Sequence, residues 1–200
     1  MKFFFDTEFL EDGSSIDLIS IAIIGEDGSE YYACVKDANW EKINKDAWLK
    51  QHVINQLPPK SSPEWKTKSQ IAKDIIAFVG DHPEFWADFS GYDWVALCQL
   101  YGKMIHLPDT WPMFCRDIQQ LKELVGIEEF PSMSDNEHNA IVDARETKAR
   151  FDMCVGEAKK KGIRIESERP SLNKRLSQAL NDGIKFARSD KELKTTKFRR

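Results

Sequence analysis

Four acidic residues and one histidine fall in three short clusters along the chain: Asp6-Thr7-Glu8, Gly91-Tyr92-Asp93 and His138-x4-Asp143. Carboxylates repel one another at close range, so four of them converge only around positive charge. Hard oxygen ligands of this kind select Mg²⁺ or Mn²⁺. Two such ions about 3.5–4 Å apart can drive the displacement of one oxygen by another at a phosphodiester. A histidine beside them has a matching task, because an imidazole can take the proton from an attacking water near neutral pH.

Each cluster also has a plainer reading. Asp6 and Glu8 stand at i and i+2 of an apparent strand, where they share a face, and such pairs are common on strands facing water. Here the flanks are Phe3-Phe4-Phe5 and Phe9, and carboxylates in apolar surroundings are costly unless paired or metal-bound. Asp93 precedes Trp94-Val95-Ala96-Leu97 and, taken alone, reads as a helix N-cap. Asp117 before Ile118 reads the same way, and Asp88 reads as a turn residue. Asp143 falls early in a helix whose apolar face continues past it, and His138 lies just ahead of that helix, where it would be accessible. His52, His82 and His106 have no comparable setting.

The elements that must position these groups form a mixed α/β pattern. Lys2 to Phe9, Asp17 to Gly25 and Glu30 to Val35 read as strands, with turns at Glu11-Asp12-Gly13 and Glu26-Asp27-Gly28-Ser29, giving a three-stranded antiparallel meander. Asn39 to Leu57 reads as a short helix with loops, and Pro58 to Pro63 as a breaker. Ser69 to Val79 is amphipathic, with Ile71, Ile75 and Val79 on one face and Ala72 and Ile76 beside them. A short strand at Glu84 to Ala87 follows. Helices are then expected over Trp94 to Tyr101, over Asp117 to Val125 with Gly126 as its stop, and over Ala140 to Val155. Strands followed by alternating helices and strands predict a layered α/β fold. Ser171 to Phe186 carries Leu172, Leu176, Leu180 and Ile184 and reads as a separate amphipathic helix.

The 200 residues suit one domain with an extension: a body over 1–156 and a basic C-terminal stretch over 157–200. The body carries 15 Lys+Arg against 27 Asp+Glu, a net −12, whereas the extension carries 14 against 6, a net +8. An acidic body that holds cations beside a basic segment is compatible with a polyanionic substrate; a solvated charge run reads equally well. Cys34, Cys98, Cys115 and Cys154 form no metal-spaced pair and read as reduced structural thiols, which suits the cytoplasm. No apolar run is long enough to cross a membrane, and Asp6 and Glu8 interrupt the opening too early for a signal segment.

At the three clusters the chain resembles the DEDDh group of 3′–5′ exonucleases, the RNase T-like or DnaQ-like superfamily. The family's Asp-x-Glu motif matches Asp6 and Glu8, its second-motif Asp matches Asp93, and its His-x4-Asp motif matches His138 and Asp143. The resemblance covers about residues 1–155. Asp6-Thr7-Glu8-Phe9-Leu10-Glu11-Asp12-Gly13 and Ile19-Ser20-Ile21 are most similar to a bacterial subgroup of RNase T-like 3′ exoribonucleases. Many members have Thr after the first-motif Glu; here it is Phe9, which reads first as core packing and second as a stacking surface for a terminal base.

The resemblance implies an RNase H-like mixed sheet flanked by helices and a two-metal hydrolysis releasing nucleoside 5′-monophosphates. Asp6, Glu8 and Asp143 would hold the ion that carries the attacking water. Asp6 and Asp93 would help hold a second ion at the leaving oxygen, with His138 as proton acceptor. It further implies a substrate nucleic acid with a 3′ end, RNA favoured, no membrane, and a homodimer as a candidate assembly. Two rival readings stand beside it: a 3′–5′ DNA exonuclease with the same acids, and a module that binds 3′ ends without cutting.

Overall fold

The computed structural model describes residues 1–131, 133 and 137–165. Met1–Ile163 form one compact unit, and a second unit runs from Arg164 to Arg200. The expected helix over Ser171 to Phe186 lies outside the described residues.

Strand β1 (Lys2–Glu11) is an inner strand of the sheet. It pairs antiparallel with β2 (Ile16–Gly25), which pairs antiparallel with β3 (Glu30–Val35), so the meander forms as its turn residues predict. Gly28 takes a left-handed backbone (φ 86°) in the second turn, a conformation that glycine adopts without steric cost. Helices α1 (Trp40–Ile43) and α2 (Ala47–His52), then a 3₁₀ turn at Ile54–Gln56, occupy the stretch expected to be mixed. Strand β4 (Trp65–Lys66) precedes helix α3 (Lys68–Val79), whose Thr67 and Gln70 form a capping box. Strand β5 (Glu84–Ala87) leads to helix α4 (Gly91–Gln99). Strand β6 (Arg116–Asp117), helix α5 (Ile118–Val125) and helix α6 (Ala140–Lys161) complete the order.

The six strands lie in the order β4-β3-β2-β1-β5-β6, with β3–β4, β1–β5 and β5–β6 parallel. This is the expected RNase H-like mixed sheet with helices on its faces. Because β1 has helices over both faces, it is apolar on both sides: Phe3, Phe4 and Phe5 are all buried. Phe3 and Phe5 join Ile71 and Ile75 of α3 and Leu97 of α4 in one core. On the opposite face, the α6 side, Phe4 and Trp86 meet Phe151 at ring separations of 5.0 and 4.8 Å. Past Phe4 and Trp86 the pairing of β1 with β5 stops while β1 runs on to Glu11. The acids of β1 therefore stand beyond the carboxyl end of β5, the place where open α/β sheets present their ligand sites.

Several expectations change in detail. α4 begins at Gly91 with Ser90 at its N-cap, so Asp93 is not a cap but a buried residue of the first turn. Its carboxylate is taken by β1 instead. Asp117 does cap its helix, accepting the Gln119 N–H at 2.7 Å. α6 extends to Lys161 and ends at the left-handed Gly162. Its buried stripe includes Ala144, Thr147, Phe151 and Cys154, whereas Ile141 and Val155 are half-buried. Ile76 is exposed rather than packed. The four cysteines are free thiols. No described helix is long and apolar enough to cross a membrane.

Candidate active site

Alternation along β1 places Asp6 and Glu8 on the α6 side and Thr7 and Phe9 on the α4 side. Asp143 enters from the first turn of α6. One ligand oxygen from each of Asp6, Glu8 and Asp143 can be chosen so that all three lie within 4.8 Å of one another. Asp93 arrives from α4: one of its carboxylate oxygens accepts both the Thr7 N–H at 2.9 Å and the Thr7 hydroxyl at 2.6 Å. Thr7 thus ties Asp93 to the strand between the two acids it separates. Asp143 is held in turn by the Asn139 N–H, which donates to it at 3.0 Å. All five sequence candidates, with Phe9, line one cleft of about 550 Å³.

The electrostatics are those of negative charge packed closely, with Arg150 as a partial counterweight to Asp88 and Asp143. Burial raises the Asp6 carboxyl well above its ordinary range, and the charges of Asp93, Glu8, Asp143 and Asp88 push it further. Burial, then Asp143 and Asp93, lift Glu8 to about 8. Asp93 rises to about 6 through burial, opposed by the two hydrogen bonds from Thr7. Asp143 also rises to about 6 through burial, opposed by the backbone N–H of Asn139. Two divalent cations would remove this repulsion, and the all-oxygen donor set fits Mg²⁺ or Mn²⁺.

His138 lies in the same cleft, half-buried rather than freely accessible. Its backbone is left-handed (φ 68°), and its ring meets Trp48 edge-on at 4.7 Å. Phe9 is not core. It is half-buried on the cleft wall, 5.6 Å from the ring of Tyr92.

Three cleft residues carry no signal in the sequence. Trp48 sits in a stretch without clear periodicity. Tyr92 is 54% exposed, so it offers an aromatic surface to the cleft instead of to the core. Asp88, expected as a turn residue, is ion-paired with Arg150 of α6 and receives the Gln119 side-chain amide at 2.7 Å. Only its place just past β5 marks it, and that place depends on the strand order.

A model of the 3′-5′ exoribonuclease Rv2179c-like domain matches residues 1–155, a span that contains all four acids and His138. The chain belongs to this family. It is 43% identical over 159 residues to "3′-5′ exoribonuclease Rv2179c" of Mycobacterium tuberculosis strain ATCC 25618 / H37Rv, covering 78% of this chain and 94% of the relative. "3′-5′ exoribonuclease MT2234.1" of M. tuberculosis strain CDC 1551 / Oshkosh matches with the same identity and coverage. As a member of the Rv2179c-like family, the chain is an enzyme of the 3′–5′ exonuclease class.

Proposed function

We propose that this protein is a metal-dependent 3′–5′ exoribonuclease of the DEDDh, RNase T-like kind, which hydrolyses the terminal phosphodiester of RNA and releases nucleoside 5′-monophosphates. The observation that carries the metal dependence is the convergence of Asp6, Glu8 and Asp143 within 4.8 Å, with these three and Asp93 raised in pKa. RNA as substrate follows from the two relatives, both named 3′-5′ exoribonucleases.

Asp6, Glu8 and Asp143 would hold one cation, and Asp6 with Asp93 would hold a second. When bound, the cations would supply a nucleophilic water and charge stabilisation for the leaving oxygen. The protein's own residues do the rest. Thr7 keeps the Asp93 carboxylate turned toward β1. His138 accepts the proton that water loses as its oxygen bonds to phosphorus and the bond to the 3′ oxygen breaks. Phe9 and Tyr92 give the cleft an apolar wall suited to a base rather than to the charged backbone.

Single replacements test the assignment. Asp6→Ala or Asp143→Ala should abolish turnover while the melting transition stays cooperative. Near-native turnover in either variant would remove these acids from the site.

A further inference from the structure

We infer that Gln56 is a positioning residue for His138, with Trp48 as the surface against which the imidazole is set. The inference rests on the reading of His138 as proton acceptor and extends it to the segment that holds it.

His138 is one of three non-glycine residues among those described with a positive φ. A left-handed backbone is unfavourable for a residue with a side chain, so the conformation persists where neighbours over-determine it. Glycine would relieve the strain but remove the imidazole. Helix α6 supplies part of the hold: its Asp143 carboxylate accepts the Asn139 N–H at 3.0 Å and a backbone hydrogen bond from His138, although Asn139 itself makes no side-chain capping bond.

The carbonyl side of the segment is held from α2 and the 3₁₀ turn. The Gln56 side-chain amide donates to the carbonyl of Glu137 at 2.8 Å and of His138 at 3.3 Å, and also reaches the carbonyl of His52 at the end of α2. One amide group therefore fastens the His138 backbone to the 3₁₀ turn and to α2. From α2, Trp48 presents its ring to His138, and His52 stacks on Trp48 at 4.7 Å with an interplanar angle of 29°. A ring nitrogen of His52 lies 2.9 Å from the Trp48 carbonyl, which fixes the stack. Gln56 is half-buried and does not line the cleft. Its effect on catalysis must then pass through His138 rather than through substrate.

The test is a double-mutant cycle on an RNA substrate, using Gln56→Met, His138→Ala and the two together. Methionine keeps the length of glutamine and removes the donors. Gln56→Met should lower kcat roughly 10- to 100-fold, the scale of a misplaced catalytic group, with KM within about twofold on the same reasoning. Mn²⁺ affinity measured by calorimetry should be unchanged. In the His138→Ala background, Gln56→Met should cost nothing further, because two residues acting through one group are not additive. Undiminished kcat in Gln56→Met overturns the inference. So does an equal further loss in the double variant, or weakened Mn²⁺ binding, either of which makes the effect one of general structure. Undiminished kcat in His138→Ala alone is a separate failure, because it removes the proton-acceptor reading itself.

Discussion

Glu8 shows how a single residue records the chemistry of the cleft. It is 8% exposed on a strand flanked by phenylalanines, and its carboxyl is pushed up to about 8, against an ordinary value near 4.3. Between those two pH values the cation-free fold keeps a proton that the unfolded chain has released. By linkage, the stability that Glu8 contributes is fully present below that window and is lost as pH rises through it. The proposed cations would reverse the trend, because they would bind the deprotonated acids. The melting temperature of cation-free protein should therefore drop between about pH 4.5 and pH 8, and added Mn²⁺ should raise it more at pH 8 than at pH 5. Glu8→Gln, which cannot ionise, should melt higher than wild type in chelator at pH 8 while losing turnover. Identical melting curves for the two proteins across this range would show that Glu8 is not held against its charge.

At the level of elements, α6 links the core to the site. Phe151 sits two turns beyond Asp143 and packs on Phe4 and Trp86, so the grip of the helix on β1 and β5 fixes the carboxylate at its first turn. Phe151→Ala should cost about 3–5 kcal/mol in chemical denaturation, the usual range for a buried aromatic; a loss below about 1 kcal/mol would show that α6 docks through other contacts. The elements also show what the sequence makes legible. The meander and α3, α5 and α6 carry periodic patterns, turn residues and caps, and form where those signals place them. Strands β4 and β6 have two residues each, too few for any period, and Asp88 reaches the cleft only through the long-range pairing of β5 with β1. Asp93 looks like a cap because a cap and a first-turn acid differ by only three positions. What separates them is the hydrogen bond from Thr7, 86 residues away. Asp6, Glu8 and Asp143 are legible because costly residues beside apolar ones stand out locally, and His138 through its spacing to Asp143 just ahead of a helix. Trp48, Gln56 and Tyr92 are ordinary locally, and acquire a place only through packing across the cleft.

The body over residues 1–156 is acidic and carries its cleft at the end of a mixed sheet. Repelling carboxylates would hinder the approach of a polyanion, so cation binding and substrate binding should be coupled through the same four acids. The most direct test uses two duplexes, each labelled at the 5′ end and carrying a 3′ overhang, one of RNA and one of DNA. Each is incubated with the protein in Mg²⁺, in Mn²⁺ or in chelator, and the products are resolved at single-nucleotide spacing. A ladder that shortens from the 3′ end, requires the cation and advances faster on RNA is the predicted result. Shortening in chelator would contradict the role given to the acids. Faster shortening of DNA would contradict the substrate, and tight binding with no shortening of either would reduce the cleft to a 3′-end binding site.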